Sequence, residues 1–369
     1  MPANYGSLVQ NYTLRHFEGS VETPSTPSTP SIPSNHTDVT IISQTTPERL
    51  FFFPYLLARW GGPISITIYL DPSNAVSVTD LVRHADYPQR LRLSLYTHIQ
   101  PKKDCVYRPA RRGLRCINRS IYPLNRLRNI AIANVQTTHF VVFDMDMWPA
   151  PHTYNTLLSL PSSYLDNPFF VTIIPAFSLS PAMLKHYPCS SFEECILKSI
   201  PLMPTSKKTM NRCLKVNNCT IFRPLSKTHN YLPSNWESLP PTTPVTYVKC
   251  FKERFLEPYV MVRRSEHLPP FDERFINYGF NKVEWVETLR YLGYEFYVLS
   301  HAFAVDAPHK QSNFAVQYSK QFSGGEVEML ELYRRYLMNL RHSHRDESRQ
   351  VLCLPKRINL NMYRNCSVS

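Results

Sequence analysis

The residues best suited to chemistry are Asp144 and Asp146, in the stretch HFVVFDMDMWPAP at 139–151. The apolar run from Phe140 to Phe143 predicts a buried strand, and Pro149 and Pro151 prevent its continuation, so both carboxylates stand where the strand surfaces. In an extended chain alternate side chains share a side, which lets Asp144 and Asp146 converge while Met145 packs away from them. Paired carboxylates suit a hard divalent cation, Mg2+ or Mn2+, that keeps positions open for phosphate oxygens. A lone D-x-D also occurs as a solvated turn; here the apolar strand before it and the helix-like YNTLLSLP after it favour a metal site.

The elements that must position this pair follow from periodicity. DVTIISQT (38–45), ISITIYL (64–70) and LRLSLYTHI (91–99) predict strands, separated by a helix through PERLFFFPYLLARW that is interrupted near Pro54 and by a short helix around 78–84. This β-α-β-α-β progression predicts an α/β fold, a Rossmann-like, mostly parallel sheet flanked by helices, with ligand at the carboxyl ends of the strands. YPLNRLRNIAIANV (122–135) predicts a helix with Leu124, Leu127, Ile130 and Ala131 on one face. Asn125 and Arg128 project from its early turns, where Arg128 is either an exposed helix charge or a nucleotide or phosphate contact. Further on come a strand at FFVTIIPAF (169–177), a strand at YVMVRR, and the acidic pair Asp272-Glu273 entering a helix. A second helix spans roughly 281–292, and after the strand YEFYVLS both Asp306 and His309 follow the apolar AFAV. Aromatic and amide residues in THNYLPSNW (228–236), including Trp236, suit either sugar stacking or loop packing.

With 369 residues, 43% of them hydrophobic, the chain can bury one large catalytic core. The net charge of +13 comes from scattered basic residues without a zinc-finger, RNP or helix-turn-helix pattern, which points to anionic substrates rather than nucleic acid. Nine cysteines without a paired C-x-x-C arrangement, beside sequons at Asn11, Asn35, Asn118, Asn218 and Asn365, favour disulfides and an oxidising secretory lumen. Cys105 and Cys116 bracket a basic turn that a disulfide could close into a hairpin. No apolar run reaches the ~18–20 residues of a membrane span, and no signal peptide is evident. Residues 1–37, with TPSTPSTPSIPS, read as an extended stem. The catalytic domain is expected over 38–345, with a Cys-containing insertion at 178–250 and a C-terminal tail at 346–369.

YPLNRLRNIAIANVQTTHFVVFDMDMWP and EPYVMVRRSEHLPPFDERFINYGFNKVEWVETLRYLGYEFYVLSHAFAVDAPH resemble the two signature blocks of the LARGE-type glycosyltransferases, glycosyltransferase family 49. The resemblance implies a GT-A fold, Mn2+, a UDP-sugar donor carrying glucuronic acid or xylose, inversion at the anomeric carbon, and a glycan or glycoprotein acceptor. It also implies Golgi type II topology, with an anchor in a segment this chain lacks. On this basis Asp144 and Asp146, with Asp306 or His309, hold the metal, and Asn125, Arg128 and Lys282 position the donor. Asp272, then Glu273, is the candidate base, and Trp236, Tyr278 and Gly279 shape the acceptor platform. Two positions depart from the family pattern: Asp306 stands where His is common, and Ser178 follows PAF where Glu is common. The competing reading is a catalytically silent sugar-binding protein of the same fold.

Overall fold

The computed structural model describes residues 13–19, 37–71, 75–85, 87–98, 105–110, 113–118, 121–308, 316 and 328–353. β2 (Val39–Thr45), β3 (Ile64–Leu70) and β4 (Leu91–His98) are parallel neighbours, preceded in the chain by β1 (Thr13–Gly19) and followed by a hairpin of β5 (Cys105–Ala110) and β6 (Gly113–Asn118). The acidic strand is β7 (His139–Val142), followed at once by β8 (Met147–Pro149). Next come β9 (Phe170–Ile174), β10 (Ala176–Leu179), β11 (Cys219–Ile221), β12 (Val245–Tyr247) and β13 (Cys250–Phe251). The last of the described strands are β14 (Tyr259–Arg263), β15 (Glu295–Leu299), β16 (Ala304–Asp306) and β17 (Val351–Leu352).

Nine of these strands form the main sheet in the order β1-β4-β3-β2-β7-β14-β9-β15-β12. The sheet is parallel from β1 to β7; β14 then runs antiparallel to both β7 and β9, so the sheet is mixed. Burial of nearly every residue in β2, β3, β7 and β9 explains their continuous apolar runs, as helices and loops cover both faces. The Leu124–Ala133 helix is tied to β3 by the Ser65 hydroxyl donating to the Ala131 carbonyl at 2.8 Å. A second sheet, β11-β10-β16-β8, stands beside the carboxyl end of β7. Gly62 is required by close packing, because a Cβ there would meet the Tyr154 ring at 2.2 Å.

Three segments differ from expectation. The polar leader contains β1, which pairs in parallel with β4, while TPSTPSTPSIPS lies outside the described residues. The 178–250 segment shares the main core, burying Ile196, Met210, Phe222 and Trp236, and contributes strands to both sheets. Within it, disulfides join Cys189 to Cys195 and Cys213 to Cys219. The tail is fastened by the Cys250–Cys353 disulfide and by β17 pairing with β13. The hairpin expected between Cys105 and Cys116 forms, but its side chains, and with them that disulfide, lie outside the described residues.

A cross-link restricts the unfolded chain more as its loop lengthens, by about 4.7 kcal/mol for ~100 residues against about 3 for ~15. Cys250 and Cys353 are 103 residues apart, whereas Cys189 and Cys195 are separated by 6. Replacing both Cys250 and Cys353 by serine should therefore lower the thermal midpoint more than the same change at Cys189 and Cys195. Equal shifts in circular-dichroism melts would refute that ranking.

Candidate active site

The expected extended D-x-D is replaced by a turn: after Phe143 the chain bends, and the Met147 amide donates to the Asp144 carbonyl at 2.9 Å. Met145 is buried at 1% exposure and its carbonyl accepts from the Trp148 indole at 3.0 Å, which anchors the turn and leaves the two carboxylates facing the sheet's end.

Asp144 is held from four directions. Its Oδ1 accepts from Arg128 at 3.0 Å and Gln44 at 3.3 Å; its Oδ2 accepts from Lys282 at 2.8 Å and the Tyr259 hydroxyl at 3.0 Å. Burial alone raises its pKa, but Lys282 and Arg128, helped by Gln44, hold the carboxyl well below its usual range. Burial lowers the pKa of Lys282, opposed by Asp144 and Glu257, and its ammonium lies 3.8 Å from the Tyr259 ring centroid. Arg128 is buried rather than exposed: Asn125 and Asn281 each accept from it at 3.1 Å, and Asn125 in turn donates to Glu284 at 3.0 Å. Asn125, Arg128 and Lys282, all proposed from the sequence, therefore belong to one network around Asp144.

Asp146 accepts from Arg49 at 2.7 Å. Burial lowers the Arg49 pKa, yet Asp146, with Tyr122 and Asp144, raises it overall. Asp306 comes to the same place through β16, whose register sets it opposite Met147; the next amide, Ala307, donates to the Asp146 carbonyl at 2.7 Å. Tyr259 lies in the field of all three acids: burial, then Asp144 and Asp146, push its hydroxyl well above its ordinary pKa, Arg223 opposes them, and Asp306 adds to the rise. Ser178 is the cross-strand partner of Asp306, so the two positions singled out in the sequence are neighbours. His309 lies outside the described residues.

Other candidates are placed differently. Asp272 and Glu273 lie in a loop, not at a helix entry. Arg274 grips the Asp272 carboxylate at 2.5 Å, and Arg126 grips that of Glu273 at 2.6 Å. Trp236 cannot serve as an open stacking platform: it is 1% exposed, packs against Phe177 and Phe303, and donates to the Leu299 carbonyl at 2.9 Å. Tyr278 lies beneath the Arg223 guanidinium, and burial pushes its hydroxyl up to about 12 against the opposing charge of Arg223. Gly279 has φ 102, so its part is conformational, in the turn that delivers Lys282.

Gln44, Arg49 and Tyr259 were missed by sequence reasoning. Gln44 and Arg49 lie at and just after the carboxyl end of β2, the place that marked Asp144 on β7. Tyr259 opens β14, and only that strand's reversed direction brings its first residue to the carboxyl ends of its neighbours.

Among the described residues no three His, Cys, Asp or Glu side chains form a cation cage. The oxygens of Asp146 and Asp306 are nevertheless the donor type that Mn2+ takes, on adjoining strand ends. Asp144 already accepts four hydrogen bonds, which fills its acceptor positions. The donor chemistry thus fits a cation at Asp146 and Asp306, with Asp144 as the organiser beside it.

The fold is thus a mixed α/β sheet that carries an acidic turn at the carboxyl ends of its strands. The chain belongs to the family described as glycosyl-transferase for dystroglycan, which residues 38–343 match. Among curated relatives it is 29% identical to xylosyl- and glucuronyltransferase LARGE2s of Gallus gallus, over 86% of this chain and 37% of that protein. It is 29% identical to LARGE1 of Homo sapiens, over 75% and 32%, and 28% identical to the glycosyltransferase-like protein gnt14 of Dictyostelium discoideum, over 75% and 38%. The chain thus spans about a third of the length of these relatives. Similar solved structures include S. aureus TarS, at TM-score 0.37 and 11% identity over 73% of this chain and 60% of that one. Another is GalNAc-T7 with UDP, GalNAc and Mn2+, at TM-score 0.43 and 8% identity over 77% and 47%.

Asp144→Asn should destabilise the fold by about 3 kcal/mol, because it leaves two buried cations without a counter-charge. Asp146→Asn should cost less, since its partner Arg49 has 24% of its side chain exposed. The Asp144 contribution is present above the unfolded carboxylate pKa, ~4, and is lost as pH falls through the depressed folded value. Urea unfolding at neutral and acid pH checks both points: the gap between wild type and Asp144→Asn should close in acid.

Proposed function

We propose that this chain is a metal-dependent inverting glycosyltransferase that moves glucuronic acid or xylose from a UDP-sugar to a glycan or glycoprotein acceptor in the Golgi lumen. The supporting observation is the acidic turn of Asp144 and Asp146 at the carboxyl ends of the sheet, with Asp306 on the adjoining strand β16 and with Arg49, Arg128 and Lys282 paired to the turn's carboxylates. The three disulfides among the described residues suit an oxidising compartment. Among the described residues no helix is long and apolar enough to cross a membrane.

Asp146 and Asp306 would hold Mn2+, which when bound acts as a Lewis acid against the charge of the departing UDP. Lys282 and Arg128 keep Asp144 ionised and in place, and Asp144 fixes Lys282 beside the phosphate path. Arg49 is poised to turn from Asp146 towards the donor's diphosphate. Asp272 remains the preferred base, to take the acceptor hydroxyl's proton as that oxygen attacks opposite the leaving group. Its partner Arg274 is 58% exposed and can swing away, whereas Glu273 is tied to Arg126, exposed by only 7%. The silent-binder reading draws on the basic partners that already hold Asp144 and Asp146.

UDP release measured over a panel of UDP-sugars with Mn2+ separates the two readings. Transfer requires release with at least one donor, abolished by Asp146→Asn and reduced about 10²–10⁴-fold by Asp272→Asn. Donor binding without any release would leave only the silent binder. In a Mn2+ titration Asp306→Ala should raise the metal requirement more than His309→Ala does, and the reverse order would give the ligand role to His309.

A further inference from the structure

A second charged feature lies away from the acidic turn. The Lys207–Lys215 helix presents Lys207, Lys208, Asn211, Arg212 and Lys215 along one face, while Met210 on the opposite side enters the main core. That basic face lines an open surface pocket of about 640 Å³, whose lining also includes Glu237 and His301. Four cations therefore surround one space whose lining holds a single carboxylate.

Local rules oppose this arrangement in an empty protein. Lys207 and Lys208 occupy the helix's first turn, which contains no acidic residue, and cations there work against the helix dipole. Lys208 and Arg212 are four residues apart, a like-charged spacing that also destabilises a helix. The walls are nevertheless well fastened. Ser206 and Thr209 form a capping box, the Cys213–Cys219 disulfide ties the helix end to β11, and the Lys207 ammonium rests over the Trp236 ring and donates to the Leu239 carbonyl at 3.3 Å. His301 is fixed by donating to the Pro240 and Thr243 carbonyls, each at 3.0 Å. An open pocket with fastened walls, whose charges conflict until an anion enters, is the kind of local inconsistency expected at a binding site.

We infer that this cavity binds an anionic stretch of glycan, carrying carboxylate or phosphate groups, as an anchoring site separate from the site of transfer. The choice of a glycan rests on the glycosyltransferase reading. A nucleic acid fits less well, because Trp236 is buried beneath Lys207 and the lining offers no open aromatic face for a base. His301 lies five residues before Asp306 along the segment that forms β16, which puts the backbones of these two residues at most ~17 Å apart. An acceptor chain anchored here can extend to the acidic turn, so the cavity holds acceptor at a distance from the reacting sugar and raises its local concentration.

The test titrates a fluorescent uronate-containing oligosaccharide, a phosphorylated one, their neutral counterparts of equal length, and a single-stranded oligonucleotide of equal charge. Each is added to wild type and to Lys208→Glu/Arg212→Glu/Lys215→Glu, with UDP binding measured on both proteins. The expected result is tighter binding of at least one charged oligosaccharide than of its neutral counterpart or the oligonucleotide, weakened about tenfold or more in the variant, with UDP affinity unchanged. Without oligosaccharide, Lys208→Glu alone should raise the thermal midpoint, whereas a merely structural lysine would lower it. Equal binding of charged and neutral sugars, equal or tighter binding of the oligonucleotide, or indifference to charge reversal would overturn the inference while leaving the transferase reading intact. Failure of wild type to bind UDP would remove that reading and the choice of glycan with it.

Discussion

The site depends on a single carboxylate placed where four donors meet. Asp144 receives Gln44 from the end of β2, Arg128 from the helix before β7, Tyr259 from the start of β14 and Lys282 from the turn before the Val283–Tyr291 helix. Each donor comes from a different element, so the contacts close only if β2, β7 and β14 lie in their observed register and both helices are seated. Such a cluster adds little net stability compared with an apolar replacement, yet losing one member is costly because the remaining charges stay buried. It therefore acts as a registration device for the sheet's carboxyl ends. Asn125, Asn281 and Glu284 behind Arg128 extend the same logic by one layer.

The sequence made the framework readable where periodicity and burial coincide. The runs at 38–45, 64–70 and 139–143 were readable because strands covered on both faces must be apolar throughout, and the 122–135 helix because its apolar spacing matches one buried face. The reversed direction of β14 was not readable, since YVMVR is equally apolar in either orientation, and so Tyr259 escaped notice. Trp236 shows a second limit: an indole suits a sugar platform and a core equally, and only the packing of Phe177 and Phe303 decides. Asp272 and Glu273 resembled helix-opening acids, but their arginine partners include Arg126, which is distant in sequence and was invisible to a local reading.

The region read as an insertion was misjudged for a physical reason. Its abundant proline, serine, threonine and cysteine weaken any period, yet short helices need only a few apolar residues to reach a core that other elements have already built. Met210 and Ile196 do so, and the Cys189–Cys195 and Cys213–Cys219 disulfides hold the flanking turns. The small sheet passes from β8 through β16 and β10 to β11, and so links the acidic turn to this region directly. Asp306 and Ser178 are neighbours on it, and together they place one negative charge beside a hydroxyl next to Asp146.

Near the chain's end, the Gln350 side chain is fully buried, donating to the Phe296 carbonyl at 3.1 Å and accepting from the Phe296 amide at 3.0 Å; three residues later Cys353 is joined to Cys250. β15, whose Phe296 lies more than fifty residues before Gln350, is thus completed only once Gln350 has left the ribosome. A nascent chain stalled before residue 350 would hold a nearly complete sheet with Phe296 unsatisfied, the kind of species that chaperones and thiol oxidoreductases engage. Emergence of Gln350 and Cys353, followed by thiol oxidation, then closes this part of the fold.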